Sequence, residues 1–269
     1  MLGGVWDDKV SLSPNRQFIF PLLASVIVVA AGIGISYITN PFSGVIDLVQ
    51  WQWTVLQWQD VPYHLTLWAD VFTVVWLLGT TYTTKLLDGV DGLVAGVLCI
   101  GGVIIFFLSI SAQVAQPETG TLALIIAGAA FGFLLWNFSP AKIYLGEGGS
   151  LLAGFMLGVL AILSGGKIAT ALLILGLPII DLLWVIIRRW FIEKRSPFLA
   201  DTSHLHFQLR AAGLSERTIA LLFYLITTLF GVSTLIVSGV AKLIVLVGLM
   251  TLAVLLIIWS YRRAKGQSA

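Results

Sequence analysis

Long apolar runs, separated by short polar segments, recur along the whole sequence. Most are long enough to cross a bilayer as a helix, which takes about 20 residues. Only 10% of the 269 residues are charged and 58% are hydrophobic, whereas a soluble domain carries about 25% charged residues. The sequence therefore predicts a single all-α domain over residues 1–269, a polytopic membrane bundle of about eight helices over Phe18–Thr39, Thr66–Leu86, Leu93–Ala112, Thr121–Trp136, Leu151–Leu163, Ile168–Ile187, Thr218–Val237 and Val240–Trp259.

The segment Asn40–Leu65 between the first two runs is rich in tryptophan and glutamine. Aromatic side chains are enriched at membrane interfaces, so we interpret this segment as an interfacial loop. Cys99 is the one cysteine and lies within an apolar run. A single cysteine excludes an intrachain disulfide framework and a thiol cluster for a metal.

Positive residues are distributed unevenly over the predicted loops. With eight spans the loops alternate between two sides, and all of the 15 Lys and Arg residues except Lys167 and Lys242 fall on one side. Positively charged loops remain in the cytoplasm, so this side is expected to be cytoplasmic. The same side holds every candidate catalytic group, namely Asp7, Asp8, Asp88, Asp91, Glu147, His204 and His206. The sequence thus predicts one cytoplasmic active site assembled from several loops.

Two carboxylates stand between the second and third apolar runs, in the stretch T-Y-T-T-K-L-L-D-G-V-D-G-L-V-A-G. Asp88 and Asp91 are three residues apart, a spacing that places two side chains on one helix face. An alternative is that Asp91 caps the third helix. Acids beside hydrocarbon are costly and usually functional, and two of them exceed what one cap requires. We therefore favour a functional pair.

Glu147 lies in the glycine-rich turn Y-L-G-E-G-G-S, shortly after Lys142. Glycine-rich backbone near a helix N-terminus can approach phosphate oxygens and donate N–H groups to them. The pair Asp7–Asp8, taken alone, is better interpreted as a solvated loop pair or a helix cap.

His204 and His206 share a polar segment with Arg188, Arg189 and Arg195. Histidine and arginine together suit a diphosphate, because arginine binds phosphate oxygens well. The alternative is a basic loop that contacts anionic lipid. A zinc site is not favoured, since the third histidine falls on the other side of the predicted membrane.

Carboxylate ligands without soft ligands favour Mg²⁺ or Mn²⁺. The residues alone therefore indicate metal-dependent phosphoryl chemistry at the membrane surface, with a lipid co-substrate. One alternative is a CDP-alcohol phosphotransferase, but the later aspartate pair of that class is missing. Another is a transporter, whose acids would lie near mid-bilayer between repeats. Only Asp70 and Asp181 lie inside predicted spans, and Asp181 is expected to pair with a neighbour or line the cavity.

Four stretches carry a family resemblance: W-D-D-K-V-S-L-S-P, D-G-V-D-G-L-V-A-G, N-F-S-P-A-K-I-Y-L-G-E-G-G-S and R-S-P-F-L-A-D-T-S-H-L-H-F-Q-L. In this order they resemble the polyprenyl-phosphate N-acetylhexosamine-1-phosphate transferases. The resemblance covers nearly the whole chain. It implies that a polyprenyl phosphate, such as undecaprenyl phosphate, attacks the sugar-bound phosphate of a UDP-N-acetylhexosamine, that UMP leaves, and that Mg²⁺ is required.

The resemblance also implies roles for individual residues. Asp7 and Asp8 match the aspartate pair proposed to activate or orient the lipid phosphate, and His204 and His206 match the histidine motif that contacts the diphosphate. The metal ligands, for Mg²⁺ or alternatively Mn²⁺, would be Glu147, Asp88 and Asp91. Candidate substrate-binding residues are Lys85, Asn137, Lys142 and Arg195.

The chain departs from the family pattern at four positions. The family usually has asparagine at the positions of Tyr82 and Lys85, aspartate at that of Glu147, and a further histidine at that of Phe207. A charged lysine cannot ligate Mg²⁺, although it can bind phosphate. The family also has about three further spans before the first aspartate motif, so we expect this sequence to be an N-terminally incomplete piece.

The expected partners are the UDP-sugar, the polyprenyl phosphate and the lipid bilayer, with a homodimer as a further candidate. Nucleic acid is not among them. The expected location is the bacterial inner membrane, with several spans and the active site on the cytoplasmic face.

Overall fold

The computed structural model describes residues 2–10, 12–40, 42, 44–58, 61–165, 168–194 and 204–267. Helices dominate this part of the chain, and a π-helical turn over Arg188–Glu193 follows α8. The elements in chain order are α1 (Leu2–Val10), α2 (Pro14–Ala30), β1 (Tyr37–Thr39), β2 (Val45–Asp47), β3 (Gln52–Trp58), β4 (Val61–Thr66), α3 (Leu67–Leu87), α4 (Leu93–Ile110), α5 (Pro117–Asn137), α6 (Gly146–Leu163), α7 (Ile168–Ile174), α8 (Gly176–Ile187), α9 (Leu205–Ala211), α10 (Glu216–Ile236) and α11 (Val240–Gln267).

Five helices in the described ranges are long and apolar enough to cross a membrane: α4, α5, α6, α10 and α11. Helices α7 and α8 form a sixth candidate, bent by 82° at the break between them. The predicted helical membrane bundle is confirmed, whereas the predicted count of eight spans is not. The predicted span Ile168–Ile187 is therefore not one straight helix.

The first two predicted spans also differ from the structure. Helix α2 ends at Ala30, and Tyr37–Thr39 is a strand. The 17 residues of α2 cover about 25 Å at 1.5 Å per residue, less than the ~30 Å of a bilayer core. Helix α3 has 21 residues, but Asp70, Lys85 and a run of threonines make it less apolar than the five spanning helices.

The tryptophan-rich segment is not the predicted loop. It forms two antiparallel hairpins, β1–β2 and β3–β4, the second with Gln52 opposite Thr66. Tryptophan, threonine and valine suit strands when they have a partner strand. Strand β4 runs directly into α3, where the Asp70 carboxylate accepts hydrogen bonds from the backbone N–H (2.7 Å) and hydroxyl (2.9 Å) of Thr66. Asp70 thus fixes the corner between strand and helix.

The core of the bundle surrounds α4, which packs against α5, α6 and α10. Small residues allow these helices to approach closely, as is usual in membrane bundles. At Gly102, for example, a Cβ would lie 2.9 Å from both the backbone oxygen of Ala123 and the Cβ of Ala127. Leu93, Leu157 and Phe223 are among the fully buried side chains.

Helices α3 and α6 meet along a seam of threonines and glycines. A Cβ at Gly154 would overlap Oγ1 of Thr84, and one at Gly158 would clash with Oγ1 of Thr80. The hydroxyl of Thr84 also donates to the backbone oxygen of Ser150 (2.8 Å). The two helix backbones are therefore in near contact, which brings the end of α3 beside the start of α6.

Reversals of the chain place four helix ends together: the C-terminal ends of α3 and α5 and the N-terminal ends of α4 and α6. We call this the site end. The hairpins belong to the opposite end, where the hydroxyl of Tyr37 donates to the backbone oxygen of Gly165, just after α6 (3.1 Å).

Candidate functional site

Asp88 and Asp91 lie in the turn between α3 and α4, so the expected shared helix face is wrong. Helix α3 ends at Leu87, and the residue before α4 is Gly92, with φ +78°. A positive φ favours glycine, which lets the chain reverse sharply there. Asp91 does not cap α4 either, since its Oδ2 accepts from the backbone N–H of Ala141 (2.9 Å). It ties the turn to the loop that follows α5.

Asn137 connects the same two loops from inside. It is 5% exposed, and its Oδ1 accepts from the backbone N–H of Gly92 (3.1 Å). Its Nδ2 donates to the backbone oxygen of Ile143 (2.9 Å). Both ends of the amide are thus used for internal structure, and its predicted contact with substrate stays a prediction.

Lys142 lies on this loop with an exposed side chain. Its Nζ is 5.1 Å from the ring centroid of Trp136, a cation–π arrangement that leaves the ammonium open to solvent. From the start of α10, Arg217 donates through Nε to the backbone oxygen of Ser139 (2.6 Å). The loop therefore presents one open cation on a well-anchored backbone.

A second set of contacts joins the N-terminal aspartate motif to the glycine-rich turn. Lys85 Nζ donates to Oε1 of Glu147 (2.6 Å) and to Oε1 of Gln17 (2.8 Å). Gln17 Nε2 in turn donates to Oδ1 of Asp7 (3.0 Å), which also accepts from the backbone N–H of Leu12 (2.6 Å). We call Asp7, Gln17, Lys85 and Glu147 the charge network. Sequence reasoning missed Gln17, because nothing in its neighbourhood marks a neutral amide as a partner of a distant lysine.

The charge network influences Asp7 directly. A hydrogen bond with Glu147 is the main cause that lowers the pKa of Asp7, and Gln17, the Leu12 amide and the Lys85 charge add to it against some desolvation. Asp7 is therefore a carboxylate at neutral pH. Of the other predicted site residues, the side chain of Asp8 and the whole of Arg195 lie outside the described residues.

Among the predicted acids whose side chains the structure describes, Asp88 is the most open, and its side chain is exposed. Partial desolvation raises its pKa to about 6, partly offset by a hydrogen bond with Ser150. The direction agrees with a carboxylate that has lost part of its water without gaining a cation. Asp88 is therefore suited to bind a cation.

The histidine motif is organised by Asp181, which lies in α8 and is buried. Its Oδ2 is 3.0 Å from Nδ1 of His204, and its Oδ1 accepts from the backbone N–H of Leu205 (2.8 Å). The expectation that Asp181 pairs with a neighbour is confirmed. It was not predicted as a site residue, although an acid in the apolar run P-I-I-D-L-L was a usable signal.

His206 links the histidine motif to the aspartate turn. Its ring is parallel to that of His204, with centroids 5.9 Å apart, and lies 4.2 Å from that of Phe207. A Cβ at Gly89 would be 2.5 Å from Nε2 of His206, so this approach requires glycine. His206 is 1% exposed, and within the described ranges neither ring nitrogen has a hydrogen-bond partner.

Burial lowers the pKa of His206 to about 3, with a smaller contribution from His204. The imidazole is consequently neutral at physiological pH, and one ring nitrogen remains a donor while the other remains an acceptor. Such a group can bind a phosphate oxygen if the site opens to a substrate.

The three predicted metal ligands have three different partners. Glu147 pairs with Lys85, Asp91 binds the Ala141 amide, and Asp88 is beside Ser150. In the part of the chain that the structure describes, no three His, Cys, Asp or Glu side chains form a group that could hold a metal ion. A metal at this site stays a prediction.

Comparison with known proteins gives matches along most of the chain. Residues 1–165 match the model of a family described as "Glycosyl transferase family 4". A "Probable undecaprenyl-phosphate N-acetylglucosaminyl 1-phosphate transferase" of Bacillus subtilis (strain 168) is 33% identical over 242 residues, 88% of this chain and 62% of the relative. A "Decaprenyl-phosphate N-acetylglucosaminephosphotransferase" of Mycobacterium leprae (strain TN) is 29% identical over 245 residues, 82% of this chain and 58% of the relative.

A further group of matches, over a shorter part of the chain, has a different name. A "Phospho-N-acetylmuramoyl-pentapeptide-transferase" of Levilactobacillus brevis is 34% identical over 176 residues, 63% of this chain and 53% of the relative. The chain thus spans about six tenths of the length of the first curated relatives that it matches, the 62% and 58% given above.

Proposed function

Because the chain belongs to glycosyl transferase family 4, we propose that it transfers an N-acetylhexosamine 1-phosphate from a UDP-sugar to a polyprenyl phosphate such as undecaprenyl phosphate. The names of the relatives given above support the lipid phosphate and the amino sugar. The UDP donor comes from the resemblance of the sequence motifs. The product would start a lipid-linked intermediate of a cell-envelope glycan.

One observation carries the proposal: residues from four distant parts of the chain meet at the site end. The charge network joins Asp7 to Glu147, and Gly89 brings the aspartate turn against His206. A diphosphate with a sugar on one side and a nucleoside on the other needs contacts from several directions, and this end of the bundle offers cations, amides and imidazoles within a small region.

The bonds of the reaction can be stated without a strong base. An oxygen of the lipid phosphate forms a bond to the sugar-bound phosphorus, while the bond from that phosphorus to the bridging oxygen breaks and UMP leaves. The attacking oxygen is already an anion near neutral pH. Most of the rate would then come from positioning and from neutralisation of charge, for which the exposed Lys142 and the Asp181-oriented His204 are suited.

We also propose that Mg²⁺ takes part, with Mn²⁺ as a substitute. Mg²⁺ in proteins usually binds one or two carboxylates together with substrate phosphates, and the exposed, partly desolvated Asp88 fits that description. When bound, the metal would neutralise charge on the diphosphate. Asp88 would hold it, and the residues of the charge network would hold the N-terminal motif in place.

The lipid substrate and the uneven charge distribution support a location in the bacterial inner membrane with the site facing the cytoplasm. Lys85, Lys142 and Arg217 are all near the site end, and positive residues remain on the cytoplasmic side. The apolar tail of a polyprenyl phosphate would reach this end from the bilayer, past the exposed apolar faces of the spanning helices.

The proposal can be tested with membranes from cells that produce the protein. They are incubated with undecaprenyl phosphate and UDP-N-acetylglucosamine labelled with ³²P on the sugar-bound phosphate. We expect label in the lipid fraction, dependent on Mg²⁺ and greatly reduced by Asp88→Asn. The matched control is Glu118→Gln, which alters an acid in the first turn of α5, at the opposite end of the bundle, and should retain the label.

A panel of UDP-N-acetylhexosamines separates the choice of sugar from the class of reaction. Transfer from any member supports the proposal and identifies the donor. If no member gives a lipid-linked product although the protein is present in the membrane, the proposed reaction is refuted.

A further inference from the structure

The charge network contains a cation of its own beside the acid that was expected to bind a metal. We propose that the Lys85 ammonium occupies the cation position next to Glu147, so that Glu147 is not a ligand of the divalent ion and the site carries a tethered positive charge instead. This inference rests on the proposed function only in assuming that a divalent ion binds at the site end.

The geometry of the pair is that of a charge-assisted hydrogen bond. Lys85 Nζ and Glu147 Oε1 are 2.6 Å apart, and the two side chains are only 23% and 21% exposed. Charged hydrogen bonds at such distances are about twice as strong as neutral ones. Lys85 and Glu147 are 62 residues apart in sequence, so this contact is a product of the fold and not of local spacing.

Lys85 is also held from the other side. Its second hydrogen bond goes to Gln17, whose amide nitrogen donates to Asp7, and Asp7 accepts from the Leu12 backbone as well. An ammonium has three donors, and this arrangement uses two of them. Unlike a surface lysine, whose ion pairs contribute little, Lys85 is held by hydrogen bonds to two distant segments of the chain, at Gln17 and Glu147.

The seam between α3 and α6 fixes the distance between the two residues. Thr84, next to Lys85, donates to the backbone of Ser150 and contacts Gly154. Because the helix backbones are already in near contact there, α6 cannot approach or withdraw to admit an additional ion. A divalent ion at Glu147 would have to displace the ammonium.

Displacement is unfavourable for reasons of charge and of chemistry. A charged lysine has no lone pair and cannot become a ligand itself. Left beside the ion it would repel it, and the repulsion between such charges at a few ångströms is large near a protein surface. A divalent ion is therefore directed to Asp88 and to the phosphates of the substrate. We expect the protein without substrate to bind Mn²⁺ weakly.

Binding of Mn²⁺ to the purified full chain in detergent tests this directly. Free Mn²⁺ is measured by electron paramagnetic resonance, with no substrate present. We expect Lys85→Met to bind Mn²⁺ at least tenfold more tightly than the unaltered protein, because Glu147 becomes available. Lys85→Arg retains the positive charge and should bind as weakly as the unaltered protein.

The matched control removes a different ammonium from the same end. Lys142→Met deletes an exposed cation that, within the described residues, contacts the ring of Trp136 and no carboxylate. This variant should change the Mn²⁺ affinity by less than about twofold, since interactions of an exposed charge with a distant ion are strongly screened in salt solution. An equal gain in Lys142→Met and Lys85→Met would indicate a general charge effect and would overturn the inference.

Glu147→Gln in the otherwise unaltered protein gives a test that does not depend on the folding of a Lys85 variant, and the double variant adds a second test. In the unaltered background it should leave Mn²⁺ binding the same, and in the Lys85→Met background it should remove the tenfold gain. A loss of Mn²⁺ binding on Glu147→Gln alone would mean that Glu147 is a ligand despite Lys85, and the inference would be wrong. No gain in Lys85→Met that elutes as a single species would have the same meaning.

The Mn²⁺ readout is independent of lipid transfer. If no UDP-sugar supports transfer but Lys85→Met still gains affinity, the proposed function fails and the inference about Lys85 stands. If transfer is observed and Lys85→Met gains no affinity for Mn²⁺, the proposed function stands and the inference about Lys85 fails.

Discussion

Replacing Asn137 by alanine should destabilise the site end as a whole. The side chain is 5% exposed and makes two hydrogen bonds, with the Gly92 N–H at 3.1 Å and the Ile143 carbonyl at 2.9 Å. Alanine removes the side-chain amide, so the Gly92 N–H and the Ile143 carbonyl, which belong to different loops, lose their hydrogen-bond partner. The aspartate turn and the loop after α5 would then lose their common support.

The size of the effect follows from the surroundings of the two backbone groups. Gly92 is buried, and an unsatisfied buried donor costs about 1–3 kcal/mol. Ile143 is exposed, so its carbonyl can turn to water, and only the net value of about 0.5–1.5 kcal/mol is lost. The expected total is about 1.5–4.5 kcal/mol. At roughly 2–4 °C per kcal/mol for a chain of this size, Tm falls by at least about 3 °C.

Thermal unfolding of the purified protein in detergent, followed by intrinsic fluorescence, measures this change. The control is Asn40→Ala, which alters a partly exposed asparagine whose Oδ1 accepts from the nearby Phe42 N–H. Its Tm should shift by less than about 1–2 °C, as is usual for surface changes of about 0.5 kcal/mol. If Asn137→Ala keeps the Tm of the unaltered protein and only raises the KM for UDP-sugar, then Asn137 binds substrate and the structural role is refuted.

Three further outcomes are expected at the histidine motif. Asp181→Asn removes the charge beside His204 but keeps an acceptor for the Leu205 N–H. Transfer should therefore fall about tenfold or more, with a smaller change in Tm. Unchanged transfer would exclude a role of Asp181 in orienting His204. The pKa of His206 is lowered to about 3, so the unfolded chain takes up a proton near pH 6.5 and the folded chain does not. The contribution of His206 to stability should therefore be complete above pH 6.5 and fall by about 2 kcal/mol between pH 7 and pH 5. His206→Phe should flatten this pH dependence in Tm measurements, whereas His64→Phe, at an exposed histidine, should not. Gly89→Ala places a Cβ 2.5 Å from His206 Nε2 and should reduce transfer at least tenfold, whereas full activity would show that the two loops do not need this approach.

The apolar spans were predictable because a lipid environment leaves the backbone few choices. A run such as Leu93–Ile110 must satisfy its own N–H and C=O groups, and a helix does so within one segment. The break between α7 and α8 was not predictable in the same way, since the residues on both sides are apolar. The hairpins were missed because strand formation depends on a partner strand, and composition alone does not reveal pairing.

The charged positions of the candidate site were visible in the sequence, but their pairing was not. Asp88 and Glu147 stand near the ends of apolar runs, where an acid needs an explanation, and His204 stands in an arginine-containing polar segment. The contacts Lys85–Gln17 and Asp181–His204 join residues 68 and 23 positions apart. Only the three-dimensional arrangement shows that Lys85 faces an acid expected to bind a metal.

The glycine–threonine seam between α3 and α6 has a consequence for how this protein can change. A flexible pair of helices could respond to a new charge by spreading apart, so that the shape would change while the affinity for ions stayed the same. Here Gly154 contacts Thr84, and the backbone oxygen of Ser150, one turn from Glu147, accepts a hydrogen bond from the Thr84 hydroxyl. Helices α3 and α6 are therefore held tightly together beside Glu147. The change in charge caused by a substitution at Lys85 or Glu147 must then be balanced by the binding of protons, ions or substrate. The seam makes the chemical preference of this site adjustable through single side chains, on a scaffold whose two helices are already packed in near contact.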